Sequence, residues 1–271
     1  MNSRVVPEVR CKFCNSSNTI KYGHFKNMQR WWCKDCRRKF ADNSALPHMK
    51  TAINQICFAV KSYYEGMPLN DISKRIDKEH NIYISDSTIY KWVNKFSQKG
   101  TDETKDCHPI VGDTWIAHET IVKSCGKNFH LTDIVDLHTQ FILSSIFSSE
   151  YNPDDINSVL ESAKDRANKI PKCLIVLESS LPQETTKPKN RIQNDNIKIL
   201  VPGEEERAAL VNRIKDSYHD RNRVLFSIKK QEYVQRILDG WLFHYNYRRA
   251  NGLLNGKTPA ESSDINFINM I

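Results

Sequence analysis

Two pairs of cysteines near the N-terminus have the spacing of a metal site. Cys11 and Cys14 form one Cys-x2-Cys pair, Cys33 and Cys36 form the second, and 18 residues separate the two pairs. Each pair places two thiolates on one tight turn, and the residues between are numerous enough for a β-hairpin that returns the chain. Four thiolates complete the tetrahedral shell of Zn²⁺, so the spacing predicts a structural zinc ion rather than a catalytic one. We therefore expect a zinc ribbon over residues 1–47, stabilised by the metal because so short a segment buries little apolar area.

Basic side chains are concentrated in the same part of the chain. The first 100 residues hold 18 Lys and Arg against 8 Asp and Glu, whereas the remainder holds 22 against 24. This asymmetry predicts that a nucleic acid binds the N-terminal third, although a solvated lysine-rich surface would explain the charge alone equally well. Within the ribbon, the side chains expected to contact DNA phosphates are Arg30, Arg37, Arg38 and Lys39.

Residues 48–99 have the apolar spacing of three helices, beginning near Ala52, Leu69 and Ser85. The third helix starts with a Ser-Asp-Ser-Thr run that supplies an N-cap. A helix, a short turn and a capped helix form the helix-turn-helix layout, in which the last helix reads the major groove of double-stranded DNA. The side chains expected on its reading face are Ser87, Thr88, Tyr90, Lys91 and Asn94. A three-helix bundle that binds nothing is the alternative.

Residues 108–265 alternate strand-like and helical patterns. The predicted strands cover 114–122, 128–136, 139–147, 173–177 and 197–201, and the predicted helices cover 152–169, 204–221 and 231–247. Three antiparallel-type strands, a crossover helix and further strands answered by helices are typical of an α/β domain of the ribonuclease H type. The fold class expected for the chain is therefore a ribonuclease H-like α/β core preceded by a zinc ribbon and an all-α helix-turn-helix domain.

Motifs at both ends of this domain resemble one family. The domain opens with the run from Trp115 to Thr120, a Gly-Lys turn and Ile134-Val135-Asp136. It closes with Tyr245-Asn246-Tyr247-Arg248-Arg249 and Lys257-Thr258-Pro259-Ala260-Glu261. These motifs resemble the prokaryotic DDE transposases of the insertion-sequence-six type. The resemblance implies DNA strand cleavage and transfer by a homodimer, in which two aspartates and a glutamate hold two divalent ions such as Mg²⁺.

The acidic triad that the resemblance implies is degenerate in this chain. Aligning Trp115 and Glu119-Thr120 with the family motif puts His118 at the first aspartate, and the corresponding registers put Ser179 at the second and Asn212 at the glutamate. A shift of one residue would place Glu178 at the second position. Glu178, Asp216 and Asp136 are the acidic residues that could serve as remnants, whereas Glu119 should face away from His118 because strand side chains alternate.

We therefore expect a transposase-family DNA-binding protein that has lost catalysis, with structural Zn²⁺ as its cofactor. An active transposase with a rearranged acid set, using Mg²⁺, is the alternative, and a pure interaction module is a third possibility. No apolar run approaches the roughly 18 residues that span a bilayer, and the first residues contain no apolar signal segment. We accordingly expect no membrane partner and a prokaryotic, cytoplasmic location on the nucleoid.

Overall fold

The fold is taken from a computed structural model of the chain. It describes residues 9–25, 28–41, 43–152, 154–177 and 196–265, without the side chains of 215–217. The chain divides into two compact units, and the boundary lies between Ala59 and Val60.

The N-terminal unit is built on a three-stranded antiparallel sheet in the order β1-β2-β3. Its strands are β1 (Thr19–Phe25), β2 (Met28–Cys33) and β3 (Lys39–Ala41). The predicted hairpin is present between the cysteine pairs, and β3 extends it. Side chains alternate along β2, so Trp31 packs with Phe40, Cys11 and Cys33 in a small core while Trp32 lies on the opposite face, across from Lys39.

Three helices follow, α1 (Ile53–Tyr64), α2 (Leu69–His80) and α3 (Asp86–Thr104). Helix α2 ends where Asn81 takes a left-handed conformation with φ of 52° and donates its backbone N–H to the carbonyl oxygen of Asp77. Apolar side chains four residues apart, Ile72 and Ile76 on α2 and Ile89 and Val93 on α3, are fully buried. The three predicted helices are present, and α3 continues five residues beyond Lys99.

The larger unit contains a five-stranded sheet in the order β6-β5-β4-β7-β8. Its strands are β4 (Thr114–Ser124), β5 (Lys127–Asp136), β6 (Ile142–Ser148), β7 (Cys173–Leu177) and β8 (Lys198–Leu200). The first three pair antiparallel, whereas β7 pairs parallel with β4 and β8 parallel with β7. This order, with a crossover helix α4 (Asp155–Ala167) between β6 and β7, is that of the ribonuclease H-like fold and confirms the predicted fold class.

One predicted strand begins later than expected. The pattern places it from residue 139, but β6 starts at Ile142. Thr139 instead donates its backbone N–H and its hydroxyl to the carboxylate of Asp136, and Gln140 adopts a φ of 58°. These residues therefore form the tight turn that reverses the chain between β5 and β6.

Helices cover the two faces of the sheet. Helix α4 packs Ile156, Val159 and Leu160 against the face that carries Trp115 and Ala117. The other face is covered by α5 (Glu204–Phe226). Helix α6 (Val234–Tyr247) places Trp241 beside Tyr218 of α5, whereas its Tyr247 joins the core that α4 covers. A short helix α7 (Pro259–Ser262) follows, with a capping box formed by Thr258 and Glu261. Because α5 lies against β4, it determines what surrounds the side chains on that face of the strand.

Helix α3 packs directly on α6, and two glycines make this approach possible. A Cβ atom on Gly240 would stand 2.0 Å from the hydroxyl oxygen of Tyr64 and 2.7 Å from the Cβ of Ser97. A Cβ atom on Gly100 would stand 2.4 Å from the ring of Phe243. No side chain larger than the hydrogen atom of glycine fits at either position. The short distance between α3 and α6 therefore depends on glycine at both positions.

We predict that Gly240→Ala destabilises the larger unit by about 1–3 kcal/mol, because the added methyl group forces α3 and α6 apart. Denaturant unfolding followed by circular dichroism measures the change. Gly252→Ala is the matched control, since a Cβ atom on Gly252 has no neighbour within 4 Å. Equal free energies of unfolding for the two variants would contradict the close packing of α3 on α6.

Candidate functional site

The four cysteine sulfur atoms converge on one point of the N-terminal unit. The Sγ atoms of Cys11, Cys14, Cys33 and Cys36 all lie within 4.8 Å of one another. The Cys11–Cys36 and Cys14–Cys33 pairs are each separated by 3.6 Å. A tetrahedral zinc ion with Zn–S bonds of about 2.3 Å places its ligands about 3.8 Å apart, so the cluster has the size and donor set of a Zn²⁺ site.

The backbone of the two cysteine turns is shaped alike. Asn15 follows Cys14 with a φ of 58°, and Arg37 follows Cys36 with a φ of 55°, so each turn closes with a left-handed residue. Backbone amides of Cys36 and then Asp35 donate to the Cys33 sulfur and lower the pKa of this thiol to about 7, against the opposing effect of burial. Burial, in contrast, raises the pKa of the Cys36 thiol to about 12, so a bound cation is needed to hold all four cysteines as thiolates, the form that binds metal.

The outer face of the ribbon sheet combines cations with aromatic rings. The Nζ atom of Lys39 lies 4.0 Å from the ring centroid of Tyr22, and the guanidinium carbon of Arg30 lies 5.5 Å from the same centroid. The rings of Tyr22 and Trp32 are 6.1 Å apart. The guanidinium of Arg38 stands over the ring of Phe13, and Arg37 is exposed in the second cysteine turn. This surface, Tyr22, Arg30, Trp32 and Lys39, is called the ribbon face below.

The five side chains expected to read DNA from α3 occupy different environments. Ser87 and Lys91 are exposed. Thr88 is half-buried and its hydroxyl lies 3.0 Å from that of Ser85, and Asn94 donates its side-chain amide to the backbone oxygen of Tyr90. The ring of Tyr90 packs edge-on against Tyr233, 6.4 Å away. Two of the five therefore face solvent outright, and Tyr90 points toward the junction with α6.

His118 lies at the centre of β4, where it pairs with Leu177 of β7 on one side and Asp133 of β5 on the other. Its imidazole is buried and stacks on the ring of Tyr218 from α5, with centroids 5.2 Å apart. Burial lowers the pKa of His118 to about 4, so the ring is neutral at pH 7. Its Nδ1 atom has no hydrogen-bond partner among the residues that the structure describes.

A buried ion pair lies beside this histidine. Nη1 of Arg221 on α5 is 2.7 Å from a carboxylate oxygen of Asp133, and both side chains are completely inaccessible to solvent. The other oxygen of Asp133 accepts the hydroxyl of Ser145 at 2.5 Å. The Arg221 guanidinium carbon lies 4.0 Å from the ring centroid of Tyr218 and 5.4 Å from that of Trp241. The sequence reading did not identify this cluster, although a charged residue inside the apolar run of β5 is the signal that points to it.

The remaining triad positions are placed as follows. Asn212 is exposed on α5, six residues before Tyr218 and so about 9 Å along the helix axis from it. Ser179 and Glu178 lie outside the described residues, as does the side chain of Asp216. The convergence of His118, Ser179 and Asn212 therefore stays a prediction.

Asp136 on β5 and Glu119 on β4 make their contacts away from His118. The carboxylate of Asp136 accepts the backbone N–H of Gly112 and both donors of Thr139, which gives it a role in closing the turn. Glu119 is buried and lines a small cavity with His130 and Asp155. It shares its side of β4 with Trp115 and Ala117, opposite to His118.

Comparisons with known proteins point to insertion sequences. No family model matches the chain. The chain is 33% identical over 90 residues to an uncharacterized protein in transposable element ISH50 of Halobacterium salinarum. This match covers 32% of the chain and spans 29% of the relative's length. It confirms the relation to insertion-sequence proteins that the motifs predict.

Two solved structures are similar over more than half of the chain. The HTLV-2 integrase catalytic core domain in complex with magnesium, in its dimeric form, matches 58% of this chain and 97% of that one at 15% identity and a TM-score of 0.37. The simian T-cell lymphotropic virus intasome in complex with the PP2A regulatory subunit B56 gamma matches 60% of this chain and 59% of that one at 13% identity and a TM-score of 0.39. Within the described residues, no helix combines the length and apolar character needed to cross a bilayer.

We predict one zinc ion per chain, bound by the four cysteines. Metal analysis of purified protein should give a stoichiometry near one, and Cys33→Ser should lose most of the zinc and unfold the ribbon, because three ligands leave the tetrahedral shell incomplete. Cys57→Ser is the matched control, since Cys57 is exposed on α1 and is not part of the cluster. A Cys33→Ser protein that retained full zinc content would contradict the ligand set.

We also predict that His118 makes the larger unit less stable as the pH falls. Its pKa of about 4 in the folded state lies below the ordinary value of 6.5, so the unfolded chain binds more protons between these values. The resulting loss in the free energy of unfolding is about 2 kcal/mol by pH 5. His118→Phe should remove this component from urea unfolding measured at pH 7 and pH 5, whereas His219→Phe, at an exposed histidine of α5, should not. If the free energy of unfolding of the wild type and of His118→Phe changed equally between pH 7 and pH 5, the assignment of this pH dependence to His118 would be wrong.

Proposed function

We propose that this transposase-like chain is a DNA-binding protein that does not cleave DNA. One observation supports the proposal: His118, which the motif register aligns with the first metal-binding aspartate, is buried under the ring of Tyr218 and is neutral at pH 7. A site for two divalent cations needs anionic oxygen ligands that are open to metal and to substrate phosphate. His118 provides neither the charge nor the access.

The charge of the whole triad supports the same conclusion. In the proposed register, His118, Ser179 and Asn212 carry no formal negative charge at neutral pH. Two Mg²⁺ ions held a few ångströms apart among neutral ligands would repel each other without compensation. Asp136 already accepts three hydrogen bonds from turn donors, which leaves Glu178 and Asp216 as the remnants on which an active enzyme would depend.

The N-terminal segments supply the DNA-binding surface in this proposal. The ribbon face offers Arg30 and Lys39 for phosphate contacts beside the rings of Tyr22 and Trp32. On α3, Ser87 and Lys91 are exposed and free to approach a major groove. We assign these functions to residues 1–47 and 48–99, and a metal-free core to residues 108–265. Homodimerisation and a place on the prokaryotic nucleoid belong to the proposal through the family resemblance.

A supercoiled-plasmid assay tests the catalytic half of the proposal. The natural chain should bind the plasmid but leave it intact with either Mg²⁺ or Mn²⁺. The comparison protein carries His118→Asp, Ser179→Asp and Asn212→Glu, together with Tyr218→Ala to uncover the site. Metal-dependent nicking by the natural chain, abolished by Glu178→Gln or Asp216→Asn, would establish the active-transposase alternative instead.

We predict that duplex binding weakens steeply with salt, because each neutralised phosphate contributes about −0.9 to the slope of log K against log[salt]. Lys91→Ala should make this slope less negative by about one and lower the affinity at low salt. Lys198→Ala is the control, since Lys198 is exposed on β8 and not on the helix proposed to read DNA. Affinity that is independent of salt, or undetectable binding, would contradict the DNA-binding assignment.

A further inference from the structure

The larger unit contains a groove that none of the assigned functions uses. It encloses about 950 Å³ and is formed by the end of α1, the start of α2, the start of α3, the end of α5 and the residues that lead into α6. A volume of this size is within the usual range of ligand sites. Its apolar floor includes Met67, Leu69, Val224 and Ile228.

Three tyrosines line the groove. Tyr63 is almost completely buried, whereas Tyr90 and Tyr233 are half-buried and meet edge to face. Both half-buried tyrosines line the groove and remain partly accessible to solvent. Flat aromatic surfaces next to solvent are the part of a protein on which nucleic-acid bases stack.

Cations surround these rings. The charged residues that line the groove are Arg223, Lys229, Lys230 and Asp86, so positive charges outnumber negative ones. The Nζ atom of Lys230 lies 5.9 Å from the ring centroid of Tyr233 and 3.8 Å from a carboxylate oxygen of Glu232. Both members of this ion pair are exposed, so the pair contributes little and leaves the lysine available to a ligand. The stem of Arg223 passes across Gly66, where a Cβ atom would stand 2.9 Å from its Cδ. The missing side chain at Gly66 therefore allows Arg223 to lie along the wall of the groove.

The groove also adjoins the helix proposed to read DNA. Asp86 and Tyr90 belong to the first turns of α3, the same turns that present Ser87 and Lys91 to solvent. A DNA strand that leaves the duplex at this end of α3 would reach the groove within a few nucleotides. The carboxylate of Asp86 is an acceptor suited to the amino groups on base edges.

We propose that this groove binds unpaired nucleotides of a DNA strand, with bases stacked on Tyr90 and Tyr233 and phosphates held by Arg223, Lys229 and Lys230. The inference rests on the proposed DNA-binding function and extends it to a junction between duplex and single strand. The excess of cations favours a polyanion over an apolar peptide, and the paired rings favour bases over a phosphate alone.

The test compares two fluorescent DNA hairpins, one blunt and one with a single-stranded tail of about four nucleotides. Binding of the full chain is measured by anisotropy, and the readout is the ratio of the two dissociation constants. The wild type should bind the tailed hairpin at least about fivefold more tightly, which corresponds to stacking of one base. Tyr233→Leu should bring the ratio close to one, whereas Tyr83→Ala, at a highly exposed tyrosine outside the groove, should leave it unchanged.

A second variant keeps the test independent of the folding of Tyr233→Leu. Lys229→Glu changes an exposed residue of the groove and should lower the ratio, and Lys198→Glu on β8 is its charge-matched control. Equal affinity of the wild type for both hairpins, or a ratio that survives Tyr233→Leu and Lys229→Glu, would overturn the groove assignment and leave duplex binding intact. Failure to bind either hairpin would overturn the proposed function together with this inference.

Discussion

The arrangement of the core depends on one buried ion pair. Asp133 on the sheet and Arg221 on α5 are both fully excluded from water, so the cost of desolvating two charges must be offset within the protein. Part of the offset comes from a 2.7 Å contact, the hydroxyl of Ser145 and the rings of Tyr218 and Trp241 near the guanidinium. Nε and Nη2 of Arg221 are buried without a hydrogen-bond partner among the described residues. Loss of either partner would leave an uncompensated charge in the interior, at a cost of about 3–5 kcal/mol. The pair therefore fixes the position of α5 on the sheet and, through Trp241, the position of α6.

This arrangement determines the environment of His118. Once Arg221 is bound to Asp133, Tyr218 lies one turn earlier on α5 and covers the imidazole. Helix α6 in turn carries Gly240, against which Tyr64 and Ser97 pack. The same helix thus links the aromatic enclosure of Arg221 to the helices that precede the sheet. The surface that reads DNA in our proposal and the closed face of the sheet are parts of one packed unit, because α3 is anchored on α6.

The elements that could be predicted from the sequence are those with local signals. The Cys-x2-Cys spacing predicts the ribbon, and the apolar runs predict the sheet strands. Ser85 occupies the N-cap position at the predicted start of α3, although its side chain makes no capping hydrogen bond. The groove and the buried ion pair could not be predicted, because they join residues far apart in the chain, such as Tyr90 with Tyr233 and Asp133 with Arg221. The start of β6 was missed for another reason: Thr139 has high strand propensity, but its hydroxyl and amide are taken by Asp136. A side chain that bonds the local backbone competes with the ladder and moves the strand boundary.

In the proposed register, the replacement of carboxylates by neutral side chains also removes an electrostatic requirement. Three acidic groups within a few ångströms repel one another unless cations lie between them, so such a site is held open for metal. A neutral set imposes no such condition, and an aromatic ring can close over it, as Tyr218 does over His118. An aspartate restored at position 118 would stand opposite Asp133 on the same face, and Arg221 would have to compensate two carboxylates in a buried site. In our proposal, metal binding at this site therefore requires that the cover on α5 be removed as well as the acids restored.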